Sequence, residues 1–315
     1  MQDTIKLDYS LKEKAKARAE KNTYWKNNRQ YYYMLFPGII FIILFRFVPL
    51  YGMTVAFKDF NIDKGILASP FAGMKWFRVL IGSKDFVNIL RNTLIISILD
   101  IIVVFFGSIL FALLINEIQS KKYKKIVQTV SYMPHFLSWV VIGGLIIQVL
   151  SPSGFIMKAL LGEGSANLLM DKNKFYPIVT LGELWKSAGW NTILYLAAMS
   201  GISPELYEAA RIDGAGKIRQ ILHITLPGIR FIITVTLLMR VGQLMTVGFE
   251  KIFVLQNDLI LDTAEVFSTW NYKVGLGRWN ISLSTALSFF ESIINFVLVI
   301  IFDRIAKIVG EEGLL

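Results

Sequence analysis

Glu208-Ala209-Ala210-Arg211-Ile212-Asp213-Gly214-Ala215-Gly216, followed after a short basic stretch by Ile224-Thr225-Leu226-Pro227, is a polar segment set between two apolar runs of membrane length. Read as a helix, Glu208 to Arg211 make one turn. The small Ala209, Ala210, Gly214 and Ala215 let a partner's surface come close, and Gly214 and Gly216 permit a sharp exit. Pro227 is expected to stop this element and start the next apolar run. Residues 201–227 therefore read as a loop shaped to receive another protein, and a loop of that kind between two such runs fixes how the rest of the chain is read.

The composition sets the solvent. The 315 residues are 54% hydrophobic with a mean hydropathy of +0.54, against an apolar share of roughly 45–50% in ordinary soluble domains. A helix needs about 20 apolar residues to cross the hydrocarbon core. Six runs of that length occur, at Tyr31–Met53, Ile89–Ile115, Ile126–Leu150, Tyr176–Ser200, Gly228–Phe249 and Ile281–Phe302. None alternates as lipid-facing barrel strands do, and helices satisfy their own backbone in lipid. The expected fold is an all-α integral membrane protein with six transmembrane helices, the loop at 201–227 lying between the fourth and fifth. Residues 1–30 form a basic tail and residues 31–310 the membrane domain.

Basic residues orient the chain. The tail carries Lys6, Lys12, Lys14, Lys16, Arg18, Lys21, Lys26 and Arg29, and the short second connection carries Lys121, Lys122, Lys124 and Lys125. With six spans both lie on one side, and positive residues near span ends stay in the cytoplasm. Both termini and the Glu208 loop are thus expected on the cytoplasmic side of the membrane. The net charge of +10 follows from topology and attraction to membrane lipid. A nucleic-acid partner would need a basic face on a folded soluble domain. Leu7 to Lys26 reads as a solvated anchor or as a helix on the inner surface, and about thirty polar residues ahead of the first apolar run argue against a cleavable leader.

The pattern EAA, Gly four residues after the second Ala, then I-x-LP with nine residues intervening is similar to the signature of bacterial ABC import permeases. Pro49-Leu50-Tyr51-Gly52, Ala56-Phe57-Lys58-Asp59-Phe60, Arg91-Asn92-Thr93, Leu113-Leu114-Ile115-Asn116-Glu117 and Tyr132-Met133-Pro134-His135-Phe136-Leu137-Ser138-Trp139-Val140 narrow this. From Tyr31 onward the chain resembles the oligosaccharide and polysaccharide branch of these type I, MetI-like permeases, the LplB type. The resemblance implies a second homologous permease beside this one as a heterodimer, an ABC ATPase dimer beneath, and an extracellular solute-binding lipoprotein that delivers an oligosaccharide substrate. It implies that Glu208, Ala209, Ala210, Asp213, Gly214, Ala215, Leu226 and Pro227 seat in the ATPase groove. ATP and magnesium would be held by the partner ATPase, with no cofactor in this chain and no catalytic residues of its own. The extra spans and large outer domain of the maltose permease are missing, so short loops would meet the delivery protein, with turns at Gly65–Gly73 and Pro152–Phe155.

The residues themselves agree on the absence of enzymatic chemistry. There is no Cys, no phosphate-cradling Gly-Lys-Ser/Thr loop, and no nucleophile with a base and an orienting group. His135 and His223 are isolated in sequence, which favours a structural or interfacial role over a metal.

Charges within spans cost roughly 2.5–3.5 kcal/mol at a helix centre unless they face protein or water. Asp100, Arg240, Glu291 and Asn295 fall inside spans, and Glu183, Lys186, Ser187, Trp190 and Asn191 cluster in the fourth. Helical spacing makes three stripes: Glu183, Lys186/Ser187, Trp190, Asn191; Arg240, Gln243, Val247, Glu250; and Ser284, Ser288, Glu291, Asn295. A sugar site wants aromatic platforms beside amides and carboxylates, which the Trp185, Trp190 and Gln243 neighbourhood offers. The resemblance implies cavity positions at Glu183, Ser187, Trp190, Gln243, Leu244 and Val247. The expected substrate path is thus Glu183, Trp185, Ser187, Trp190, Asn191, Gln243, Leu244, Val247, Glu291 and Asn295. The plainer alternative has Arg240 pairing with Asp100 or Glu291 for packing and Trp185 in the interfacial aromatic belt. An importer of another solute such as peptides, or a membrane-embedded enzyme or sensor subunit, are the rival functions.

Overall fold

The computed structural model describes Trp25, residues 27–152, Gly154, residues 157–159 and residues 167–308. The basic tail Leu7–Lys26 apart from Trp25, and Ser153 and Phe155 of the expected outer turn, lie outside the described residues. Among these residues the secondary structure is helical, with a single isolated bridge from Lys58 to Phe71 and no strand. Two compact units are formed, one by the chain up to Val55 with Asn61–Ser69 and the other by Ala56–Phe60 with Pro70 onward.

The first unit is dominated by the apolar helix that begins at Asn27 and runs through a π turn at Ile43–Phe47. Phe41, Phe45 and Phe47 are each more than 60% exposed, which in water would be prohibitive and in lipid is the expected state of a spanning helix.

In the second unit, Phe86–Asn116 is one 31-residue helix that loosens into a π turn at Asp100–Phe105. Lys121–Phe136 and Trp139–Leu150 are parts of one apolar run bent by 100°. The sequence explains the bend. Pro134 removes a donor in the last turn of the first part, and the Ser138 side chain accepts from Val141 N at 3.3 Å to start the second. Lys186 then donates to the carbonyls of His135 and Leu137 left unpaired at the break. The central helix, Lys172–Ser200, starts where Asp171 accepts from Asn173 N at 2.9 Å. It carries its glycines where neighbours cross: a Cβ on Gly189 would sit 2.1 Å from Ser131 O, and one on Gly182 would meet Ile146 and Trp139.

One buried cluster joins Ile96, Trp139, Ile142, Phe175, Val179, Ile252 and Leu255; another joins Phe105, Ile109, Ala112, Tyr195, Met199 and Ile229. Both draw on the Phe86–Asn116 and Lys172–Ser200 helices, the frame on which the rest is hung.

Against six straight spans, the structure differs in detail. Among the described residues three helices, Asn27–Phe57, Phe86–Asn116 and Ile281–Ile308, are long and apolar enough to cross a membrane, and five qualify if each bent pair counts as one. The expected span Tyr176–Ser200 lies within the 29-residue Lys172–Ser200 helix, whose middle carries Glu183 and Lys186. The expected span Gly228–Phe249 is discontinuous. Pro227 does not end the preceding element: Lys217–Gly228 continues past it through a π turn at Ile221–Thr225, and the 64° bend comes at Ile229. Pro227, which has no backbone N–H, follows directly on the π turn Ile221–Thr225, where the regular hydrogen-bond ladder is already interrupted, and it is carried near the end of that helix. Arg230–Val241 then stops at Gly242, residues 242–248 are non-helical, and Phe249–Leu255 begins a new helix.

Candidate functional site

The break at 242–248 opens a cavity of about 210 Å³. Its walls are Ser97, Asp100 and Ile101, Trp139, Glu183, the segment Arg240 to Gly248, and Lys251. Gly242 permits the close approach that anchors the break, since a Cβ there would lie 2.8 Å from Val299. Asn295 closes the hydrogen bonds the lost helix leaves open. Its Oδ1 accepts from Met245 N at 2.9 Å and its Nδ2 donates to Thr246 Oγ1 at 3.2 Å.

The floor is ionic. Lys251 is 4% exposed and pairs with Asp100 Oδ2 at 2.5 Å and with Glu183 Oε2 at 3.6 Å. Ser187 Oγ donates to Glu183 Oε1 at 2.5 Å. Among the described residues Asp100 Oδ1 is buried with no hydrogen-bond partner, an acceptor left unsatisfied beside the cavity. Arg240 adds a second cation at the same cavity. Two carboxylates, two cations and an amide around apolar Leu244, Val247 and Trp139 form a concave site suited to a polar, hydroxyl-rich ligand.

The other residues named from sequence are placed as follows. Glu183, Gln243, Leu244 and Val247 come together at this cavity, and Ser187 supports Glu183. Asn295 braces the break from behind, and Glu291 lies one turn before it with no ion pair among the described residues. Trp190 stacks on His135, centroids 4.4 Å apart and planes within 1°, and is absent from the cavity wall. Trp185, half exposed, lines two apolar surface clefts. Asn191 donates to Ser108 Oγ at 3.3 Å. The partner of Asp100 is Lys251; the anticipated Arg240 pairing is not formed as a salt bridge. Lys251 was missed by sequence reasoning.

Beyond the C-terminal end of the Lys172–Ser200 helix, part of the polar loop at 201–227 folds as a short helix, Pro204–Ile212. Ser203 accepts from Glu205 N at 3.3 Å and Pro204 takes the first turn. The helix ends with Gly214 N bonded to Arg211 O at 3.1 Å and Ala215 N to Ala210 O at 2.8 Å, the paired closure that requires a left-handed residue at its second position. Gly214 has φ +73°, so a glycine is demanded there by the backbone itself. Tyr207 OH lies 3.0 Å from Thr225 Oγ1, Gln220 Nε2 donates to Ala215 O, and Lys217 pairs with Glu117 at 2.7 Å. These contacts fix the loop to the membrane helices while leaving Glu208, Ala209 and Asp213 exposed. Ile212 and Ile218 stand 88% and 75% exposed on this polar loop, where no lipid would cover them. Leu226 is half-buried against the core and Pro227 is exposed.

A cavity at a broken helix, joined by one 29-residue helix to an exposed loop that presents apolar side chains, in a chain with several membrane-length apolar helices, fits a subunit of a membrane transport system. Residues 104–311 match the model of the binding-protein-dependent transport system inner membrane component, and the chain belongs to that family of ABC transporter permeases. It is 40% identical over 286 residues to the polygalacturonan/rhamnogalacturonan transport system permease protein YteP of Bacillus subtilis, covering 90% of this chain and 89% of that protein. It is 36% identical over 293 residues to Protein LplB of the same organism, covering 92% of each. Its fold matches a chain in the crystal structure of a bacterial ABC transporter involved in import of the acidic polysaccharide alginate, with TM-score 0.83, 36% identity and coverage of 91% and 98%. A second structure of the alginate transporter, in complex with an alginate pentasaccharide-bound periplasmic protein, matches with TM-score 0.84 at 36% identity, covering 92% and 98%.

Proposed function

We propose that this chain is a permease subunit of an ATP-driven importer of acidic oligosaccharides, working by alternating access. The observation that carries the proposal is the cavity at the break of residues 242–248, where Asp100, Glu183, Arg240, Gln243 and Lys251 converge. Discontinuous helices at the membrane midplane are the usual makers of transport sites, because irregular backbone is tolerated there only when it lines a cavity or packs in protein. Arg240 at the wall suits a uronate carboxylate, Lys251 being held by Asp100 and Glu183, and the likeness to the YteP protein and the alginate importer supports that class. Glu183, Gln243, Leu244 and Val247 would line the path, with Ser187 and Asn295 holding its walls.

In this reading six spans cross the membrane, with both termini and the Pro204–Ile212 helix in the cytoplasm. Glu208, Ala209, Ala210, Asp213, Gly214 and Ala215, with Leu226 and Pro227 behind them, form the seat for one subunit of an ATPase pair. A second permease completes the pore, and a solute-binding lipoprotein delivers the glycan from outside. ATP and magnesium belong to the ATPase subunits, which alone hydrolyse nucleotide. Closure of the ATPase pair draws the loop helices together, and the rigid Lys172–Ser200 helix carries that movement to Glu183 at the cavity.

The test is uptake of labelled galacturonate or alginate oligosaccharides, neutral oligosaccharides and peptides by cells lacking the gene and by cells with it restored. Restoration of acidic-glycan uptake alone is expected. Restored peptide uptake with no change for glycans would sink the proposal.

A further inference from the structure

A second feature, remote from the cavity, has a distinct chemistry. The helix starting at Lys121 packs against Phe106–Asn116 and the Lys172–Ser200 helix so as to leave an open groove of about 760 Å³, lined by Leu110, Leu114, Ile126, Val130 and Trp185 with Tyr123 at one end. Its large side chains are half exposed or more. From Tyr123 to Pro134 it runs eleven residues, about 16 Å at 1.5 Å per residue, close to the ~15 Å of one leaflet of a 30 Å hydrocarbon core.

One end of this groove is charged. Lys121, Lys122, Lys124 and Lys125 occupy the first turn and a half of the helix, which has no acidic residue there. Lys122 stands one turn before Ile126 and two before Val130, on the groove stripe. The nearest carboxylate in sequence, Glu117, is engaged by Lys217 at 2.7 Å, and among the described residues no salt bridge occupies Lys121, Lys122 or Lys125. The lysines flank the apolar wall beside Tyr123 rather than line it; a second apolar cleft, lined by Leu145, Val149, Ile178 and Leu181, has Lys174 in its own wall.

We propose that the groove between Leu110 and Val130 is a binding site for an anionic phospholipid, its acyl chain on the apolar wall and its phosphate at Lys122 and its neighbours. A headgroup of net negative charge is selected because basic residues beside an anionic leaflet each strengthen the association by about fivefold, while the apolar wall accepts any acyl chain without preference. The site stands apart from the translocation cavity and tethers the bent helix pair to the inner leaflet.

The intact complex is reconstituted in nanodiscs of equimolar phosphatidylglycerol and phosphatidylethanolamine, released into detergent, and its retained lipid counted by native mass spectrometry. The wild type is expected to retain phosphatidylglycerol in excess. Lys122→Gln with Lys125→Gln should lower that excess at least about fivefold, the matching arginine pair should keep it, and Val130→Trp should expel lipid of both kinds. A wild-type complex without the excess, or a glutamine pair that leaves it unchanged, overturns the proposal. So does a photo-cross-linker at Val130 that captures the partner permease, which would put a protein helix in the groove; the wild-type count alone decides if a variant fails to assemble.

Discussion

Replacing Lys251 by Met tests the ionic floor of the cavity directly. The ammonium is 4% exposed and faces Asp100 at 2.5 Å and Glu183 at 3.6 Å. Methionine fills a similar volume, so the loss is electrostatic: two carboxylates remain, one with an oxygen already unpartnered. Removing one partner from a buried pair costs about 3–5 kcal/mol, because the remaining charge has left water without compensation. The cost should be repaired in two steps. Asp100→Asn relieves the worst repulsion, and adding Glu183→Gln leaves neutral groups that need only ordinary hydrogen bonds, one of which Ser187 already gives. The assay is thermal unfolding of the purified complex for Lys251→Met, Asp100→Asn, the double and the triple variant. Coupling between Lys251 and Asp100 of about 0.5–3 kcal/mol is the expected range for residues in one network. An unfolding midpoint unchanged by Lys251→Met, or strictly additive losses in the double variant, would refute the reasoning and leave Lys251 as a residue with no structural charge role.

Three further outcomes follow from the geometry. Asn295→Leu removes both hydrogen bonds that hold the break, costing about 1–3 kcal/mol for the buried amide left unpaired; faster hydrogen exchange at Met245 should report it, with exchange in Arg230–Val241 unaltered. Gly214→Val places a branched side chain at φ +73°, a strain of roughly 1–2 kcal/mol or more, and should abolish transport-stimulated ATP hydrolysis while the membrane helices keep their melting temperature. A cysteine at Ser203 should resist an impermeant maleimide in intact cells and one at Leu259, 62% exposed, should react; the reverse pattern would invert the proposed topology.

The part of the fold set by local chemistry could be read from the chain alone. The helical turn at Glu208–Arg211 and the sharp exit at Gly214 depend on residues close in the chain and were legible from the sequence, while the start of that helix at Ser203 and Pro204 was not read. Long apolar runs were legible for the same reason, since length and composition are local. The breaks were not. Gly228–Phe249, which contains residues 242–248, read as one apolar run because nothing in Gly242 to Gly248 forbids helix outright. What breaks it is Asn295, fifty residues away, together with the contact of Gly242 with Val299.

That break also decides which charges meet. In a straight helix, Lys251 would lie about 12 Å beyond Gln243 along the axis, at the membrane surface, where a lysine can extend its head into water and calls for no partner. Turning the chain back at 242–248 brings Lys251 into the interior, and only then do Asp100 and Glu183 acquire a reason to be there: each is a carboxylate that lipid would exclude, held by a cation the linear sequence places outside. The stripe Arg240, Gln243, Val247, Glu250 assumed a continuous helix; with the chain broken at 242–248, Arg240, Gln243 and Val247 lie at the cavity wall and Glu250 is exposed. One signal was present in the chain. Lys251 is followed by Ile252-Phe253-Val254-Leu255, and a lysine heading an apolar run, three positions after Gly248, points to a buried partner rather than to a surface.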